Sequence, residues 1–177
     1  MASLKGYIPT LGKIVGLTPA ALYERQRALV AANLVRDVTA GRGPGSGVRA
    51  TAHSVALLLI SVLATDSLGR SESRTRDIAD ARPVGCARCR FTGQKSFAQA
   101  LTYILEANHP LVTGVQVSRT ADRAAILHTE TGPPEQAVFV GVRSIEPDIS
   151  ATVTLSQRAF RQIAAEVQAM NMGRMAL

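Results

Sequence analysis

Residues 9–35 read PTLGKIVGLTPAALYERQRALVAANLV and predict two helices joined by a tight turn. Pro9 suits the first turn of the first helix, because the N–H that proline lacks is not needed there. Apolar side chains recur at helical spacing until Gly16, where the helix is expected to stop. Thr18 is a good N-cap for a second helix that runs from about Ala20 to Ala32.

The second helix carries a polar cluster, YERQR at residues 23–27, beside an apolar stripe. Side chains at the N-terminal end and on the open face of such a helix can reach base edges or phosphates of DNA. The candidate contacts are Thr18, Ala20, Ala21, Tyr23, Arg25 and Arg27. The alternative is an ordinary helical hairpin whose polar face is solvated.

Residues 36–51, RDVTAGRGPGSGVRAT, predict a glycine-rich hairpin rather than a helix. Glycine lets the backbone approach another surface closely, and Arg42 and Arg49 flank the tip. Both arginines are therefore candidate wing contacts to phosphates or the minor groove. A flexible surface loop and an anion-binding nest remain alternatives. A Walker-type phosphate loop does not fit, because no Gly-Lys-Ser/Thr follows the glycines.

This layout resembles the MerR-like winged helix-turn-helix superfamily, to which excisionases and the small terminase subunits of lambda-like phages belong. The resemblance covers about residues 7–66, and residues 41–64, GRGPGSGVRATAHSVALLLISVLA, are similar in layout to the wing and third helix. The chain lacks the long dimerising coiled coil of MerR regulators. Its second helix is longer than in the lambda-type terminase subunits.

The resemblance implies a sequence-specific double-stranded DNA-binding protein, a transcription regulator of phage or mobile-element type that acts as a homo-oligomer. One alternative is a packaging protein of the small terminase subunit type, which would recognise DNA and assemble a ring. Another is an adaptor that reuses the fold for protein contacts, since folds of this kind change roles.

The charge distribution favours a polyanionic partner for the first part of the chain. The whole chain carries a net charge of +7, with a pI near 10.2. Residues 1–66 hold seven Lys or Arg against three Asp or Glu, and residues 67–96 hold the same numbers, so each is +4. Residues 97–177 hold six against seven, which is −1. We therefore expect residues 1–96 to form a basic, DNA-binding part of the chain and residues 97–177 to have a different role.

A third helix is expected to complete the first domain, and a basic connector is expected to follow it. Thr51 is the expected cap of a third helix, about Ala52 to Thr65, whose apolar residues cover all sides. That helix is either core or a self-association surface. The basic connector at residues 67–95 includes a polar run, Ser71 to Arg82, which predicts a short exposed helix capped by Ser71.

Two cysteines, Cys86 and Cys89, form a CxxC pair within the connector. A structural zinc site needs four ligands, and no histidine follows the pair at finger-like spacing. A redox pair of the thioredoxin type would need a strand before it and a helix after it. Plain reduced thiols, a zinc site and a redox pair all remain open, with plain thiols favoured.

Residues 96–177 predict a small α+β domain for oligomerisation or for docking a protein partner. A helix is expected from Ser96 to Ala107, and the last helix is expected to end near Met170 with Ser156 as its cap. Four short strands are expected between them, Leu111–Arg119, Ala124–Thr129, Ala137–Val142 and Ser150–Leu155. The predicted fold class is thus α+β, a winged helix-turn-helix followed by a small antiparallel sheet packed with helices. The predicted domains are 1–66, 67–95 and 96–177.

No recognisable catalytic motif appears in the chain, so an enzyme, a cofactor and a bound metal are not expected. The longest apolar run, Val55 to Ala64, is too short to span a bilayer. No charged segment followed by an apolar run begins the chain, so a cytoplasmic protein without membrane contact is expected.

Overall fold

The computed structural model describes residues 3–35, 38–39, 47–130, 132–142 and 150–172. Its helices are α1 (Leu4–Val15), α2 (Pro19–Ala31), α3 (Ala52–Ala64), α4 (Ser71–Ala79), α5 (Phe97–Ala107) and α6 (Gln157–Met172), with a short 3-10 helix at Leu68–Arg70. Its strands are β1 (Val38–Thr39), β2 (Gly47–Val48), β3 (Arg82–Pro83), β4 (Val112–Ser118), β5 (Arg123–His128), β6 (Glu135–Val140) and β7 (Thr152–Ser156). The mixture of helices and an antiparallel sheet confirms the predicted α+β class.

Helix α1 begins well before the position that the sequence indicated. Ser3 caps it, because the Ser3 Oγ accepts a hydrogen bond from the Gly6 N–H at 3.1 Å. Leu4 and Tyr7 are buried, so the turn that precedes Pro9 contributes to the core. Pro9 therefore lies inside the helix rather than in its first turn, and the expected start near Pro9 was wrong.

The helix caps expected for α2 and α3 are confirmed. The Thr18 Oγ1 accepts a hydrogen bond from the Ala21 N–H at 3.2 Å. At α3, Thr51 and Ser54 each bond to the backbone N–H of the other, which forms a capping box. Asn33 follows α2 with a φ of 55°, which is the left-handed conformation.

The main sheet has five antiparallel strands in the order β3-β6-β5-β4-β7. Four of them match the predicted strands within a few residues. The two-residue strand β3 was not predicted, because a Pro83 in a polar stretch gives no strand signal. Across the sheet, Leu155, Val115 and Ile126 are register partners on one face, and all three are buried.

The described residues share one continuous core that runs from Leu4 to Val167. Helix α3 lies at its centre and packs against α2, α4, α5 and β4, so the core interpretation of α3 holds. Helix α4 belongs to the same core, although it falls in the predicted connector. Ser71 is its first residue and is fully buried, so it is not the exposed cap that the polar run suggested.

In the part of the chain that the structure describes, no helix combines the length and the apolar character that crossing a membrane requires.

Candidate nucleic-acid interface

The α1–α2 turn sets the position of α2. Helix α1 ends at Gly16, as the sequence predicted. Gly16 adopts the left-handed conformation, with a φ of 72°. The Leu17 N–H donates to the Gly12 carbonyl at 3.1 Å. A Cβ on Gly12 would lie 2.6 Å from the Leu17 carbonyl oxygen, so only glycine allows this close approach.

Three backbone segments come together beside α2. Strands β1 and β2 pair as a two-stranded antiparallel hairpin. Directly after β2, Arg49 forms an isolated antiparallel bridge with Ser3, at the start of α1. The hairpin is thereby joined to the N-terminal end of the helix pair. A cleft of about 590 Å³ separates α2, between Tyr23 and Ala31, from Gly47, Val48 and Leu68.

Most of the predicted contact residues of α2 lie on its exposed side. Thr18, Ala20 and Ala21 are exposed at the N-terminal end. Arg27 has 64% of its side chain exposed and pairs with Glu24 at 3.1 Å. An exposed ion pair of this kind contributes little stability, so the guanidinium can exchange the carboxylate for another anion.

Tyr23 is half-buried, and the Lys5 Nζ lies 5.3 Å from the centre of its ring. Lys5 was missed by the sequence analysis, because the helix was expected to start near Pro9. If Ser3 had been recognised as an N-cap, Lys5 would have fallen in the first turn of α1, close to the α2 surface.

Arg25 lies inside the protein rather than on the open face of α2. It is 6% exposed, and burial lowers the pKa of its guanidinium. Its nitrogens donate to the carbonyls of Ser61 at 2.6 Å, Thr65 at 2.9 Å and Asp66 at 3.1 Å. Ser61 and Thr65 belong to the C-terminal end of α3, where carbonyls lack partners within the helix, and Asp66 directly follows it. Arg25 therefore serves packing, and we remove it from the candidate DNA contacts.

Of the two predicted wing arginines, only Arg49 belongs to the part of the chain that the structure describes. Arg49 is exposed, and its carbonyl accepts a hydrogen bond from the Ser54 Oγ at 2.7 Å. That bond connects the end of the hairpin to the first turn of α3. Arg42 lies outside the described residues. Arg49 thus lies beside Ser3, Lys5 lies over Tyr23, and Tyr23 and Arg27 line the same cleft as the hairpin residues Gly47 and Val48.

A second cleft, of about 600 Å³, lies along β6 beside β3, and both cysteines of the CxxC pair line it. Both cysteines are free; Cys89 is buried, and Cys86 is half-buried. Among the described residues, no three Cys, His, Asp or Glu side chains are grouped so that they could hold a metal ion.

Comparisons of this chain with protein-family models, curated proteins and solved structures gave no match.

Proposed function

We propose that this chain is a sequence-specific double-stranded DNA-binding protein that uses α2 and the β1–β2 hairpin in the manner of a MerR-like winged helix-turn-helix. Its proposed role is binding rather than catalysis, as a transcription regulator of phage or mobile-element type. The observation that carries the proposal is the bridge between Ser3 and Arg49, which joins the hairpin to the helix pair. The bridge supports the proposal because it fixes the strand that leaves the hairpin against the start of α1.

The exposed N-terminal end of α2 supports the proposed groove binding. Small residues, Ala20 and Ala21, occupy its exposed N-terminal end, so the helix can approach a DNA groove closely. Lys5, which lies over Tyr23, Arg27 on α2 and Arg49 after the hairpin are exposed cations that are suited to phosphate contacts. The basic charge of residues 1–96 would add long-range attraction.

The direct test of the interface is Arg27→Gln, with Lys95→Gln as the matched control. Each removes one exposed cation, but Lys95 lies in the loop before α5, outside the proposed interface. If Arg27 contacts a phosphate, its loss should weaken binding to all sequences and lower the slope of log K against log salt by about 0.9. If it reads a base, discrimination between sites should fall by about 1–3 kcal/mol.

The control should leave both affinity and salt slope at the wild-type values. Unchanged binding by Arg27→Gln would remove α2 from the interface. Mapping of bound fragments of the source genome at two salt concentrations tests the function itself. A few salt-resistant sites upstream of genes would support the regulator. Ring-sized particles with one preferred site would favour the packaging alternative, and no binding at all would contradict DNA recognition.

A further inference from the structure

One edge of the main sheet is open beside the cleft that holds Cys86 and Cys89. Strand β3 covers only the far end of β6, where Arg82 and Pro83 are the register partners of Val140 and Phe139. The Val84 N–H then donates to the Val138 carbonyl at 3.0 Å. Alternate residues of a strand direct their backbone groups to the same edge. The N–H and C=O of Gln136 therefore point to the side on which Val138 bonds to Val84.

Gly85 causes the chain to leave this edge. If β3 continued in register, Cys86 would lie opposite Gln136. Gly85 instead has a φ of 72°, which turns the chain away from β6. Gln136 is exposed, and no described residue pairs with its backbone on that side. The space opposite Gln136, which β3 would fill if it continued, is part of the cleft of about 600 Å³. Strand β6 forms one wall of this cleft, and the Pro83–Phe91 loop forms the other.

The cleft combines an apolar wall with carboxylates at its rim. The Phe91 ring stacks on the His128 ring, with centroids 3.9 Å apart and planes 2° from parallel. Glu130 and Glu135 are both exposed and line the same cleft. Neither forms an ion pair within the described part of the chain, whereas Arg90 lies on the opposite wall.

We propose that this cleft binds an extended peptide segment of a partner protein, which adds a strand to β6 at Gln136. The segment would exchange backbone hydrogen bonds with Gln136, as in strand addition to an open sheet edge. Within the bound peptide, one residue bonds to Gln136. The side chain of the next peptide residue would point to the face of the sheet that carries Glu135, because side chains alternate along a strand. A lysine or arginine at that position meets the carboxylates of Glu135 and Glu130. The inference is independent of DNA binding.

The test uses the peptide Ac-Thr-Val-Lys-Val-Thr-NH2 with uniformly 15N-labelled full-length protein. At about 1 mM peptide, the amide resonances of residues 135–138 should shift. The same peptide with glutamate in place of lysine should bind about tenfold more weakly. A peptide N-methylated at both valines keeps every side chain but cannot donate the edge hydrogen bonds, so it should not bind.

Two protein variants separate the roles of backbone and charge. Gln136→Pro removes the edge N–H, and the ladder to β5 survives because Gln136 and Leu127 form a non-hydrogen-bonded pair. It should lower affinity about tenfold or more. Glu135→Lys should make the glutamate peptide the tighter ligand. Asp77→Lys, at an exposed acidic position on α4, is the matched control and should leave binding unchanged.

Three results would overturn the proposal. They are equal binding of the N-methylated peptide, shifts that map away from β6 and the Pro83–Phe91 loop, and no shift with any of the peptides. The dispersion of the amide resonances of the same protein samples before peptide is added distinguishes these results from misfolding.

Discussion

Arg25 shows how one buried side chain joins three parts of the fold. It extends from α2 to the last turn of α3 and to the segment that leads toward α4. A cation at a helix C-terminus is favourable, because the last carbonyls carry partial negative charge and have no partners within the helix. The buried position of the Arg25 side chain is thus explained by its hydrogen bonds to the end of α3 rather than by a role on the surface of α2.

The variants Arg25→Ala and Arg27→Ala should differ sharply in stability. A buried carbonyl that loses its donor costs about 1–3 kcal/mol, so Arg25→Ala should lower the free energy of unfolding by about 2–4 kcal/mol. Arg27→Ala, at an exposed position, should change it by no more than about 0.5 kcal/mol. Urea denaturation followed by circular dichroism measures both. Equal stabilities of the two variants would contradict the assigned role of Arg25.

His109 should make the protein less stable in acid. Burial lowers the pKa of its imidazole below the ordinary value of 6.5, as do His128 and Arg161, whereas Glu130 acts in the opposite direction. The unfolded chain therefore binds more protons than the folded chain just below pH 6.5. Stability contributed by neutral His109 is present above that pH and is lost as the pH falls. The Leu111 N–H, which donates to its Nδ1 at 3.4 Å, also favours the neutral ring.

Urea midpoints between about pH 7.5 and about pH 5 test this expectation. His109→Gln cannot take up the proton, so its midpoint should fall less on acidification than the wild-type midpoint. Parallel pH profiles for the two proteins would show that other groups cause the acid sensitivity.

At the scale of elements, the α1–α2 turn depends on Gly12. Alanine is favoured over glycine inside a helix by about 1 kcal/mol. Here its Cβ would meet the Leu17 carbonyl oxygen at 2.6 Å and the Leu22 Cδ1 at 3.5 Å. The backbone contact cannot be relieved by rotating a side chain, so the clash should outweigh the helix preference.

Gly12→Ala should therefore lower the free energy of unfolding by about 1–3 kcal/mol. Gly69→Ala is the control, since a Cβ there meets nothing within 4 Å. Thermal denaturation of both variants provides the comparison. A more stable Gly12→Ala protein would mean that the turn accommodates the methyl group and does not rely on the glycine.

At the scale of the whole molecule, one buried core includes residues from all three predicted ranges, 1–66, 67–95 and 96–177. Arg74 on α4 forms a largely buried ion pair with Asp122, and its Nη2 also donates to the Ser118 carbonyl at 3.0 Å and the Ala121 carbonyl at 2.9 Å. The predicted connector is thereby attached to the β4–β5 turn. Arg119 likewise pairs with Asp66, just beyond the end of α3.

We therefore expect one cooperative unfolding transition. The chain has three tyrosines and no tryptophan, so Tyr103→Phe leaves Tyr7 and Tyr23 as fluorescent reporters of α1 and α2. Their transition in urea should coincide with the transition seen by far-ultraviolet circular dichroism, which reports all helices. Two separated midpoints would instead support the predicted division into independent domains.

The sequence alone determined the α+β class, the caps Thr18, Thr51 and Ser156, the end of α1 at Gly16 and four strands of the main sheet. These features depend on residues a few positions apart, so local spacing carries the information. The winged helix-turn-helix and its DNA contacts stay a prediction.

Only the tertiary structure decided the burial of Arg25, the inclusion of α4 in the core and the open edge of β6. Arg25 bonds to carbonyls 36 and 40 residues away, and Arg74 to a carboxylate 48 residues away. A charged side chain can be buried only where such distant acceptors converge on it. No local pattern in the sequence identifies these distant acceptors.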